Sequence, residues 1–155
     1  MDELKRALEE AVLGSVRRWA SVGTPTLLGY ALLVDGDLQT VFGSCPSQGL
    51  LEEEGEAVLF MPFDWDQEDH SHAFEGASRL LATVGGENYE GRARVVCETL
   101  VAALEQARDE APELRGAFLL VASAGGGELW QMFEGESVRR LNGREAFERW
   151  KAELA

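Results

Sequence analysis

The sequence predicts an α+β fold: a single domain over residues 1–155, with an antiparallel sheet built from two β-hairpins packed against several helices. Three observations carry this. Apolar stripes at helical spacing recur along the chain. Two short apolar runs, 27–34 and 118–122, are each followed by a glycine-bearing turn and a second apolar run. A lone hairpin buries too little to stand alone, so joining both into one helix-covered sheet is the economical arrangement. The composition, 45% hydrophobic and 27% charged, argues against disorder, and the length supports a core without disulfides.

The elements follow in order. Leu4, Leu8, Ala11, Val12, Ser15 and Trp19 fall on one face of a helix over 3–22, with Asp2 placed to cap it. Val22-Gly23 and Pro25 predict its end. Residues 27–34 read as a buried strand, Asp35-Gly36-Asp37 as a tight turn and 38–42 as the return strand. Ser47 is positioned to cap a short helix over 48–56. Residues 57–61 read equally as a helix end or a short strand, and 63–72 as a polar stretch carrying two aromatics. A short helix is expected over 73–84 and a longer one over 89–108, where Ala93, Val96, Cys97, Leu100, Ala103, Leu104 and Ala107 form one stripe. After Pro112, residues 118–122 and 129–133 form the second predicted hairpin around Gly125-Gly126-Gly127. A connector over 137–142 and a last helix over 144–154, with Phe147, Trp150 and Leu154 inward, complete the chain. The helix–hairpin–helix order in both halves also admits an internal duplication.

Charge placement is more informative than the net charge of −14. No Lys or Arg occurs from Trp19 to Ser78, a window holding eleven acids: Asp35, Asp37, Glu52, Glu53, Glu54, Glu56, Asp64, Asp66, Glu68, Asp69 and Glu75. The remaining 17 acids face 14 bases, so the rest of the chain carries only −3. Such a window repels phosphate backbones, which argues against nucleic-acid binding, and attracts cations or basic proteins. The plain alternative is a solvated face that aids solubility. The acidic start, with no apolar run behind it, does not read as a signal peptide, and no apolar stretch reaches membrane-spanning length. The expectation is a cytoplasmic protein without membrane contact. Cys45 and Cys97 form no CxxC pair; they read as reduced thiols, Cys97 as a small buried hydrophobe.

The densest constellation of candidate ligands is Asp64-Trp65-Asp66-Gln67-Glu68-Asp69-His70-Ser71-His72, which holds both histidines of the chain. In an extended segment His70 and His72 point to one side, where Asp66 or Glu68 joins them as ligands for a divalent metal. The spacing matches neither HExxH nor an EF-hand loop, so an exposed acidic loop is the competing reading. Phe63 and Trp65 read either as partner anchors or as core plugs. The three glycines read as a hairpin turn, since a phosphate loop needs a following helix. Arg139, Arg140 and Arg144 lie among Glu134, Glu136 and Glu145 and read as surface ion pairs, with an anion site as the alternative. No GxSxG or SxxK occurs, and a Cys45–histidine pair has no sequence sign of activation.

Two functional readings follow. In the first, the chain is a non-enzymatic acidic protein-binding module that docks a basic partner through Glu52, Glu53, Glu54, Asp64, Trp65, Asp66, Glu68 and Asp69, with no cofactor. In the second, His70, His72 and Asp66 hold a divalent metal, and the chain is a metal-dependent hydrolase. The leading helix into LLGYALLVDGDLQTVF, the segment FMPFDWDQEDHSHAFEGASRLL, the later GAFLLVASAGGGELWQMF and the closing ESVRRLNG together resemble the bacterial domain-of-unknown-function family 4303. The resemblance spans nearly the whole chain through loose motifs. It implies a bacterial protein with no activity or catalytic residues to carry over. Small acidic families of this kind resemble immunity proteins of toxin systems. His70 and His72 after the tryptophan depart from the family pattern.

Overall fold

The computed structural model describes residues 2–21, 27–125 and 127–154. Helix α1 covers Asp2–Ser21 and presents Leu4, Leu8, Ala11, Val12, Ser15 and Val16 inward, at the predicted spacing. Asp2 lies inside its first turn, where its charge suits the helix dipole. The stop expected at Val22, Gly23 and Pro25 lies outside the described residues.

Strands β1 (Gly29–Val34) and β2 (Val41–Cys45) form the first hairpin, paired antiparallel from Ala31 with Ser44 to Val34 with Val41. The return strand starts three residues later than its alternation suggests. Residues 35–40 instead form a closed loop in which the Asp35 carboxylate accepts from the Gln39 and Thr40 N–H groups at 2.7 and 2.8 Å. Leu38 takes a left-handed conformation there (φ 58°), an uncommon state for a bulky residue, and its side chain is fully buried.

Helix α2 (Gln48–Glu54) starts at Ser47, whose hydroxyl accepts from the Leu50 N–H at 3.1 Å. Residues 56–60 and 62–64 are two 3-10 turns, neither the helix end nor the strand that the sequence left open. The polar stretch then contains a strand, β3 (Gln67–Asp69), antiparallel to β2. Helices α3 (His72–Leu81) and α4 (Tyr89–Glu110) follow close to expectation.

The second half corrects the predicted fold. Strand β4 (Phe118–Ser123) pairs with β1 in parallel, and no second hairpin forms: Gly127–Asn142 is a single helix, α5, followed by α6 (Arg144–Leu154). The sheet is therefore mixed, in the order β3-β2-β1-β4, instead of antiparallel throughout. Trp130, Phe133, Ser137 and Leu141 are buried at spacings of three and four residues, the period of a helix. Gly135 interrupts the apolar pattern for a packing reason. A Cβ there would stand 2.9 Å from the Trp150 ring of α6, so only glycine allows the two helices to approach this closely.

Side chains of β1 and β4 alternate between two cores. Tyr30, Leu32, Val34, Leu119 and Val121 face α1, α3 and α4. Ala31, Leu33, Leu120 and Ala122 face a smaller cluster built from Val58, Phe60, Trp65, Val138 and Trp150. Helix α5 runs along β4 and contributes to both. Leu154, expected inward, is exposed.

Candidate acidic surface and the histidine segment

Helix α2, the two 3-10 turns and β3 bring most of the candidate residues into one stretch of the molecule. Asp66 organises its start: its carboxylate accepts from the Ser47 N–H at 2.8 Å and from the Ser47 hydroxyl, fastening the residue that caps α2. Burial pushes this carboxyl up, but the Ser47 hydrogen bonds outweigh it and hold it below the usual aspartate range. Glu52, Glu53, Glu54 and Asp64 are exposed, and none has an ion-pair partner among the described residues. Glu54 and Asp64 line one concavity with Met61, and Met61 and Phe63 leave apolar surface exposed beside the acids.

Two residues of the expected docking set do not belong to this surface. Trp65 is buried and donates its indole N–H to the Val58 carbonyl at 2.7 Å, so it plugs the smaller core. Asp69 is also buried. Its carboxylate accepts from the Arg18 guanidinium of α1 and from the Ser71 N–H at 2.9 Å. Burial pushes this carboxyl up; the Ser15 hydroxyl beside it, the Ser71 contacts and the Arg18 charge overcome that and hold it below its usual range. The Ser15 and Ser71 hydroxyls stand near without completing hydrogen bonds of normal geometry.

The eleven-acid window is thus divided by the fold. Asp35 and Asp37 lie at the β1–β2 loop, the far end of the hairpin from α2. Glu56 pairs with Arg149 of α6 at 3.3 Å. The uncompensated charge is concentrated on Glu52, Glu53, Glu54 and Asp64, with Asp66 and Glu68 exposed beside them.

The histidines are separated by their partners. His70 Nε2 contacts Glu68 at 2.9 Å, and its ring stacks on Phe42 at 4.4 Å between centroids. His72 is nearly fully exposed in the first turn of α3 and contacts Glu75 at 3.2 Å. Asp66, the third expected ligand, is held on Ser47. Among the described residues no group of three or more His, Cys, Asp or Glu side chains has a geometry that could hold a metal ion. Both thiols are buried, and burial chiefly pushes Cys45 and Cys97 up to about 12, which leaves them protonated and poorly nucleophilic at neutral pH. Gly125 and Gly127 belong to a strand-to-helix connection instead of a hairpin turn. Of the basic cluster, Arg140 pairs with Glu105 at 2.7 Å, whereas Arg139 has no ion-pair partner among the described residues.

Glu134, expected among the surface ion pairs of the basic cluster, forms none among the described residues. Its carboxyl is half-buried beside the smaller core and accepts from the Trp150 indole N–H at 2.9 Å. Burial pushes it up to about 7, against the pull of that hydrogen bond. Its setting depends on α6 closing over α5, which no local pattern reveals.

These features define an α+β protein with a mixed four-stranded sheet and an acidic, partly apolar surface segment. No family model, curated protein or solved structure matches the chain. No helix among the described residues is long and apolar enough to cross a membrane.

Proposed function

We propose that this chain is an acidic protein-binding module that docks a basic partner through α2 and the two 3-10 turns behind it. One observation carries the reading: Glu54 and Asp64, exposed and unpaired among the described residues, line one concavity with exposed Met61, and exposed Glu52, Glu53 and Phe63 lie on the same two segments. An interface needs apolar contact for affinity and charge complementarity for rate and selectivity, and this segment offers both. Asp66 and Glu68 extend the surface, while Trp65 and Asp69 support it from beneath. Small acidic families of this kind include ones that resemble immunity proteins, so the partner class is a basic toxin or a nucleic-acid-processing enzyme whose cationic site the acids cover.

The test is affinity capture from the source organism at low salt, followed by titration calorimetry with each purified basic candidate. Reversing Glu52, Glu53 and Glu54 to lysine is expected to weaken binding at least ten-fold, and the wild-type on-rate is expected to fall as salt rises. A partner bound equally well by the triple variant, or no basic partner at all, removes the reading.

A further inference from the structure

A second concave feature lies between α5 and α6 and shares no residue with the acidic surface. Its volume is about 450 Å³, within the range of small-molecule sites. Met132, Gly135, Phe147 and Trp150 give it an apolar lining. Trp150 is fixed from below by its hydrogen bond to Glu134, and Phe147 lies nearly parallel to it at 5.9 Å between centroids. The absence of a side chain at Gly135 brings the Trp150 ring against α5. Met132 remains 45% exposed, so the groove keeps apolar surface open to solvent.

Its charges are unevenly matched. Arg139 and Lys151 both reach over the Phe147 ring, at 5.9 and 5.4 Å from its centroid, and neither has an ion-pair partner among the described residues. Of the acids on the rim, Glu136 is already paired with Arg94 at 3.7 Å. Glu128 lies in the first turn of α5, roughly 16 Å along the helix axis from Arg139. In a chain of net charge −14, two free cations thus converge on one apolar groove.

We propose that the α5–α6 groove binds a flat apolar molecule carrying a single anionic group, of the aromatic-carboxylate class. The ring rests on Trp150, Phe147 and Met132, and the anion faces Arg139 and Lys151. A strongly basic ligand is disfavoured by the same two cations.

The probe is 8-anilinonaphthalene-1-sulfonate, titrated into the folded protein at neutral pH, with 2-naphthoate and neutral 2-naphthalenemethanol as competitors. Saturable one-site binding is expected, with 2-naphthoate displacing the probe at least ten-fold better than the alcohol. The R139Q/K151Q double variant changes only exposed side chains and is expected to lose at least ten-fold in affinity for the probe, while R79Q stays within two-fold of wild type. Amide resonances of Met132, Gly135 and Phe147 are expected to shift on adding 2-naphthoate to the wild-type protein, a readout that needs no variant. Non-saturable binding, equal displacement by acid and alcohol, unchanged affinity in the double variant, or shifts confined to other residues would each overturn the proposal.

Discussion

The two edges of the sheet are protected in different ways. At β4 the edge is sealed by side chains of α5. Asn142 accepts from the Leu119 N–H at 2.9 Å and donates to the Leu119 carbonyl at 2.6 Å, and the Ser137 hydroxyl accepts from the Val121 N–H at 3.1 Å. These groups would otherwise be free to pair with another chain. On the β3 side the seal is smaller: β3 covers only Gly43–Cys45 of β2, and beyond it the Ser78 hydroxyl of α3 accepts from the Val41 N–H at 3.0 Å and donates to the Val41 carbonyl at 3.2 Å. Strand β3 is three residues long, Glu68 is exposed on it, and Asp69 is tied to Arg18. Brevity and charge blunt that edge, whereas β4, a longer apolar strand, depends on a helix laid along it. The contrast leaves the acids of α2 and Glu68 of β3 exposed on one side of the sheet and covers the β4 edge with a helix.

The largest expected effect breaks the sealed edge. Asn142→Leu removes the partners of the Leu119 N–H and carbonyl and is expected to cost about 3 kcal/mol in urea unfolding, as for buried polar groups left unsatisfied. A loss below about 0.5 kcal/mol would mean that β4 is not protected in this way.

Glu134 sharpens the comparison because it lies on the sealing helix. Its folded pKa of about 7 lies above that of the unfolded chain, so the native state holds the proton more tightly. Stability from this group is present at acid pH and falls as pH rises from the ordinary glutamate range through 7. Glu134→Gln keeps an acceptor for Trp150 and is expected to stabilise the protein by roughly 2 kcal/mol at pH 8, with little effect at pH 4. A pH-independent difference would contradict the burial of this carboxyl.

The β3 edge should respond in the opposite sense. The folded pKa of Asp69 is depressed, so its contribution is present above the unfolded value and is lost as pH falls through the folded one. Asp69→Asn is expected to cost about 1–2 kcal/mol at pH 7, and the gap should close in acid. An equal gap at pH 7 and at pH 2 would show that the charge contributes nothing. The smallest effect is expected on the proposed docking surface. Glu52→Gln, Glu53→Gln and Glu54→Gln should each change stability by less than about 0.5 kcal/mol, because these side chains are exposed and unpaired among the described residues. A larger loss would mark them as structural and weaken the case for a free binding face.

Much of the fold was legible locally. The stripe of α4 and the Ser47 cap follow from residues a few positions apart, so the pattern suffices; the turn at Asp35 was legible as a turn, but not its extension to Thr40. The histidine segment was less legible. Its composition suggested ligands, but whether the carboxylates meet the imidazoles or the backbone depends on which neighbours arrive. Ser47 lies 19 positions before Asp66, and Arg18 lies 51 before Asp69.

By itself the sequence determined the α+β class, the first hairpin, most helices and the run of acids without bases, because period, turn chemistry and charge are properties of neighbours along the chain. Tertiary structure alone decided that 129–133 belongs to a helix, since the burial of Trp130, Phe133 and Leu141 and the space at Gly135 exist only once α6 and β4 are in place. It also decided which acids face water. Asp69 read like its exposed neighbours and was taken inside by Arg18; for Trp65 the sequence left anchor and core plug open, and packing with Val58 decided for the plug.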